Sequence, residues 1–265
     1  MRNFLVTLSL VLSAIALGRG RGFSENPDSS NAALLVSSAH GLAGLDLDID
    51  NLQAMVSHPT NGFRYTTLEK GEAVANSIFS ELTHLADSVD SRGTLMFYFT
   101  GHGTKGYVLA DDYKISIQEI RKAIEEGRKS WGPLPRLVFI VDACHAGSLI
   151  DPLGRSFPPT VLDNPQIVAN EMANAIVEEF TKPSNRETPL YHSLFTIVSA
   201  TAEETCLASP TGSAFTKALK GAWDKAVATP TKVRDFIADT QANTVGSHPV
   251  FRLVPETLAD EILVR

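Results

Sequence analysis

Leu95-Met96-Phe97-Tyr98-Phe99-Thr100-Gly101-His102-Gly103 and Leu137-Val138-Phe139-Ile140-Val141-Asp142-Ala143-Cys144-His145-Ala146-Gly147-Ser148 are the stretches whose reading decides the fold. Each opens with five consecutive apolar residues. Such a run fits a strand buried on both faces, as in a parallel sheet. In open α/β sheets the crevice outside the carboxyl ends of the strands is where ligands bind. His102 and Cys144 occupy that place on two strands, and a glycine follows each of them closely.

The pairing has a chemical meaning. A free thiol is mostly protonated at neutral pH, and a neighbouring imidazole can take its proton or stabilise the thiolate. Backbone N–H groups at Gly103 and Cys144 are candidate donors to the oxyanion of an attacked carbonyl, because glycine permits close backbone approach. His102 and Cys144 together therefore predict a nucleophile and its base, although either alone would pass as an ordinary core or loop residue. His145 reads as secondary, since adjacent side chains on an extended segment point to opposite faces.

Around these strands the pattern alternates. Ala32 to Val36 predicts a first strand, Asp50 to Val56 a helix, and Lys70 to Val89 a second helix with Val74, Ile78, Leu82 and Leu85 at helical spacing. Gly106 to Leu109 suggests a short hairpin and Ser116 to Arg128 a helix. Further on come a strand at Leu194 to Ser199, helices at Ser213 to Ala228 and Lys232 to Asn243, and a last strand at Pro249 to Val254. The alternation predicts an α/β fold, a three-layer α/β/α sandwich around a mainly parallel sheet of about six strands. The segment from Asp151 to Tyr191, bracketed by prolines, reads as an inserted linker with a helix at Gln166 to Thr181.

With 265 residues, 43% of them hydrophobic, the chain has the material of one ordinary globular domain. We expect that domain over residues 32–265, after a turn-rich linker at 22–31. A formal charge of -7 and the lack of a basic run interleaved with aromatics argue against nucleic-acid binding. Residues 1–21 begin with Arg2 and an uncharged run from Phe4 to Leu17, which fits a secretory signal. The run is shorter than the roughly 20 residues that span a bilayer, so no stable transmembrane span is expected. The expectation is an exported protein, periplasmic or extracellular, with an uncleaved anchor as the alternative because Arg19 and Arg21 follow the run. Two cysteines, Cys144 and Cys206, are too few for a disulfide framework. No zinc site is expected, since Asp142, Cys144 and His145 fall short of four convergent ligands.

Three stretches resemble the caspase-like cysteine peptidases, the group of caspases, metacaspases and their bacterial relatives, with legumain and gingipain as distant kin. They are Tyr98 to Gly103, Asp142 to Ser148, and Val198 to Glu204 running into Gly212-Ser213-Ala214-Phe215-Thr216. The 42-residue separation of His102 from Cys144 suits that resemblance. The chain has Asp142-Ala143-Cys144 where caspases have Gln-Ala-Cys, and here it is similar to metacaspases. Gly44-Leu45-Asp46-Leu47-Asp48 looks like the caspase Gly-x-Asp-x-Asp stretch, but no arginine stands between Arg21 and Arg64 to receive a substrate aspartate.

The resemblance therefore implies a cysteine endopeptidase that cuts protein or peptide substrates after Arg or Lys. Asp142 would hold the cation, with a second acid from Asp48, Asp50, Glu203 or Glu204; Asp48 and Glu204 are the chosen candidates. Alternatives are a legumain-like enzyme cutting after Asn and a silent peptide-binding pseudoenzyme. Arg155, Lys182 and Arg186 are candidate self-processing sites. No cofactor is expected beyond calcium, which activates many metacaspases and for which Asp46 to Asp50 is the acidic stretch.

Overall fold

The computed structural model describes residues 30–38, 42–60, 62–145, 165–183, 189–201, 211–247 and 249–263. Five parallel strands build the sheet: β1 (Ala32–Ser37), β2 (Arg64–Leu68), β3 (Thr94–Thr104), β6 (Leu134–His145) and β7 (Tyr191–Thr201). A sixth, β8 (Val250–Val254), closes one edge antiparallel to β7, giving the order β2-β1-β3-β6-β7-β8. A small antiparallel ribbon of β4 (Tyr107–Leu109) and β5 (Lys114–Ser116) hangs on the end of β3.

The strand pleat sorts side chains into two cores. Leu95, Phe97 and Phe99 of β3, with Leu137, Phe139 and Val141 of β6, pack beneath α2 (Ala75–Ser88), α3 (Ile117–Gly127) and α4 (Pro165–Thr181). Met96, Tyr98, Val138 and Ile140 point the other way, under α1 (Leu45–Val56), α5 (Ala214–Ala228) and α6 (Val233–Asn243). Alternate residues of one strand thus serve opposite layers. That explains why these strands read as unbroken apolar runs, and it makes the fold the expected α/β/α sandwich.

Local chemistry sets several boundaries. The Ser116 hydroxyl accepts from the Glu119 N–H while the Glu119 carboxylate accepts from the Ser116 N–H, a capping box that starts α3. One strand is not foreseen by the pattern, and three expectations need correction. The strand β2 carries no apolar run, because as an edge strand reading Arg-Tyr-Thr-Thr-Leu it pairs on one side only. The helix α1 begins at Leu45, five residues before the expected start, since Asp46 and Asp48 suit a first helical turn. The helix α2 begins at Ala75, because Lys70 and Gly71 hold positive φ in a preceding turn. And α4 is no mere linker helix: Val168, Ala169, Met172, Ala173, Ile176 and Phe180 are buried in the core.

Candidate active site

The register of β3 on β6 makes His102 the direct partner of Cys144, with Gly101 opposite Ala143 and Gly103 opposite His145. Partners on neighbouring strands lie ~4.8 Å apart across the sheet, so residues distant in sequence become adjacent main-chain neighbours at its carboxyl edge. His102 is buried. The glycines flanking it are sterically required. A Cβ on Gly101, which has φ +152, would meet the Ser38 carbonyl oxygen at 2.6 Å, and one on Gly103 would meet Ala143 Cβ at 2.8 Å.

Two carboxylates approach one another on the α1 and α5 side of this edge. Asp48, from the first turn of α1, and Asp142, two residues before Cys144, are both buried. Asp48 Oδ1 accepts from the Ser213 N–H (2.7 Å), and its Oδ2 lies 3.5 Å from the Thr100 hydroxyl that donates to it. Asp142 Oδ2 accepts from the hydroxyls of Ser213 and Thr216, the latter at 3.0 Å. Ser213 is the N-cap of α5, its oxygen accepting from the Thr216 N–H, so the start of one helix ties both acids together.

Burial disfavours the charged form of each acid. Desolvation, and then repulsion from Asp142, pushes Asp48 up to about 7. Desolvation pushes Asp142 up to about 6, against the pull of the Ser213 and Thr216 hydroxyls. Tyr98, buried beneath them, is pushed well above its usual value by the same desolvation and by the two carboxylates. Both acids are therefore held where they gain or lose protons close to neutral pH.

A family profile for the caspase domain matches residues 30–251. The chain belongs to the caspase-domain family. That family is one of cysteine peptidases, so protein is the substrate class and peptide-bond hydrolysis the reaction class. The solved structures this caspase-domain chain is similar to include a protein of Geobacter sulfurreducens at 16% identity, covering 88% of this chain and 97% of that one with TM-score 0.59. Caspase-1 of Spodoptera frugiperda follows at 14% identity, 84% and 86% coverage and TM-score 0.53. The pro-form of that caspase-1 is 13% identical, with 85% and 91% coverage and TM-score 0.50. At such identities the likeness is one of fold. No curated protein matches the chain.

Of the residues expected at the site, the sheet register brings the main chains of His102, Gly103 and Cys144 together, and burial brings in Asp142 and Asp48. Glu204, Glu203, Arg155 and Arg186 lie outside the described residues. Lys182 is exposed just past α4, where its ammonium pairs with Glu179 (2.6 Å) and its carbonyl accepts from Arg121 Nη2 (3.1 Å). Asp46 and Asp50 diverge from Asp48 around α1, Asp50 being exposed. Among the described residues no group of three or more His, Cys, Asp or Glu is placed to hold a metal. No helix of the described residues is long and apolar enough to cross a membrane.

Sequence reasoning missed Thr100, Ser213, Thr216 and Tyr98 as members of the site. A signal existed for two of them: Ser213 followed by Thr216 has the spacing of a helix N-cap and its third residue. Nothing local pointed from that cap to Asp142.

Proposed function

We propose that this chain is an endopeptidase that cuts after Arg or Lys through a Cys144–His102 dyad. The observation that carries the specificity is the buried Asp48 and Asp142 pair beside the nucleophile's strand, two like charges with a strong electrostatic preference for a cation between them. A substrate guanidinium or ammonium entering there replaces a proton. The Cys144 thiolate attacks the carbonyl carbon of that residue, and the resulting oxyanion is held by the Gly103 and Cys144 amides. His102 gives its proton to the leaving amine as the C–N bond breaks, leaving a thioester. Water, giving a proton to His102, then adds to the thioester; the acid leaves and the thiolate returns.

Self-processing at a basic residue of the 151–191 segment is part of this reading, as is export of the chain. The test is hydrolysis of matched fluorogenic peptides ending in Arg, Lys, Asp or Asn, by the chain and by its Cys144→Ala variant, with and without calcium. Arg and Lys turnover absent from the variant is expected. Turnover of Asn or Asp peptides alone would overturn the acid-pocket assignment, and turnover that survives Cys144→Ala would overturn the dyad.

A further inference from the structure

Behind the acid pair stand two hydroxyls with no role assigned so far. Thr216 Oγ1 donates to Asp142 Oδ2 at 3.0 Å and lies 3.1 Å from Tyr98 Oη. A threonine hydroxyl has one proton to give. With it committed to Asp142, any donation in the contact with Tyr98 runs from Tyr98 to Thr216. The Ser213 proton is likewise on Asp142, so its 3.1 Å approach to Thr216 carries no donation of its own. The Ser213 and Thr216 protons both go to Asp142 Oδ2, while the Thr100 hydroxyl donates to Asp48.

Tyr98 comes from β3 and Thr216 from α5, and both are fully buried. Two donors on Oδ2 fix the rotation of the carboxyl group, and among the described residues no donor reaches Oδ1. We propose that Tyr98 and Thr216 are positioning residues for the specificity carboxylate, a hydroxyl relay that turns Oδ2 toward α5 and leaves Oδ1 for the cation of the substrate. This rests on Asp142 being the acid that binds the substrate side chain. In a dry interior a chain of hydrogen bonds polarises along its length, and donation to the charged form favours it. The relay thus opposes the desolvation that raises Asp142. The charged and titratable groups facing Asp142 are Asp48 from α1 and Tyr98 from β3, with Lys217 from α5 acting on Asp48.

The test compares Thr216→Val, Thr216→Ser and Tyr98→Phe with the unaltered chain, using an Arg-ending fluorogenic peptide from pH 6 to 8.5. Iodoacetamide alkylation of Cys144 is followed in parallel to read the dyad without the pocket. Thr216→Val should raise KM about tenfold at pH 6.5 with kcat within about twofold, and much of the loss should return by about pH 8.5 as Asp142 ionises. Thr216→Ser should rescue KM to within about twofold, and Tyr98→Phe should give about a threefold loss, with alkylation rates unchanged in all three. A folded Thr216→Val with unaltered KM and pH profile overturns the relay, as does a fall in kcat and alkylation without change in KM. If Thr216→Val does not fold, Tyr98→Phe decides: a raised KM that recovers with pH supports the relay, and an unaltered profile overturns it. Arg turnover that survives Asp142→Asn would show instead that the acid-pocket reading has failed, and the relay would fall with it.

Discussion

The protein buries charge in two regions, one on each face of the sheet, and treats it in opposite ways. On the α2–α3 side Arg128 is enclosed among carbonyls: Nη1 donates to Ala86 (2.9 Å) and Val89 (2.6 Å), and Nη2 and Nε donate to Gly132 (2.8 and 3.1 Å). Arg121 nearby is matched by the Glu125 and Glu179 carboxylates and by two carbonyls at the end of α4. On the α1–α5 side two acids of like charge sit together, and burial raises both. A buried charge matched by hydrogen-bond partners holds a fold together, whereas buried like charges facing each other cost stability.

The comparison breaks most sharply at Arg128. Arg128→Ala should leave buried carbonyls unpaired and cost about 3–5 kcal/mol in urea or thermal unfolding; a cost under about 1 kcal/mol would show that those contacts are not structural. Next in size is Asp142→Asn, which should leave the chain folded while kcat/KM on Arg and Lys peptides falls about 100-fold, near 2.7 kcal/mol. Equal loss of stability and activity there would erase the distinction between the two regions.

The acid pair also predicts a response to pH. Both acids have folded values above the usual aspartate value of 3.8, Asp48 about 7 and Asp142 about 6. The folded state therefore binds protons more tightly than the unfolded chain. Stability is fully present below about pH 4, declines as pH rises toward about 7, and is level above that. Asp48→Asn should flatten the decline, and stability that rises over that window would contradict the pair's assignment. The least effect is expected at Lys182. Its exposed pairing with Glu179 contributes little, its carbonyl is occupied by Arg121 and Pro183 follows it. Lys182→Ala should thus leave both the melting temperature and any self-cleavage fragments as they were, and a fragment lost in this variant would place a cut after Lys182.

Much of the fold was legible because periodicity is local. The capped helix α3 and the apolar strands at Leu95 and Leu137 carry their own signals, and each lies where the pattern put it. The strand β2 escaped because an edge strand need not be apolar. The helix α4 was legible as a helix but not as core, since burial depends on which strands it covers. At the site, the approach of His102 to Cys144 followed from where each strand ends, while the choice of Asp48 did not.

By itself, then, the sequence determined two long buried strands with His102 and Cys144 at their ends, because strand period and glycine placement are properties of neighbouring residues, and its motifs carried the resemblance to the family. The tertiary structure alone decided that Asp48 rather than Asp50 faces Asp142, that Ser213 ties the two acids together, and that Tyr98 and Thr216 stand behind them. Those partners lie on α1, β3, β6 and α5, up to 165 positions apart. Only the packing of α1 and α5 on one face of the sheet brings them within hydrogen-bond reach and removes the water that would otherwise make their charges ordinary.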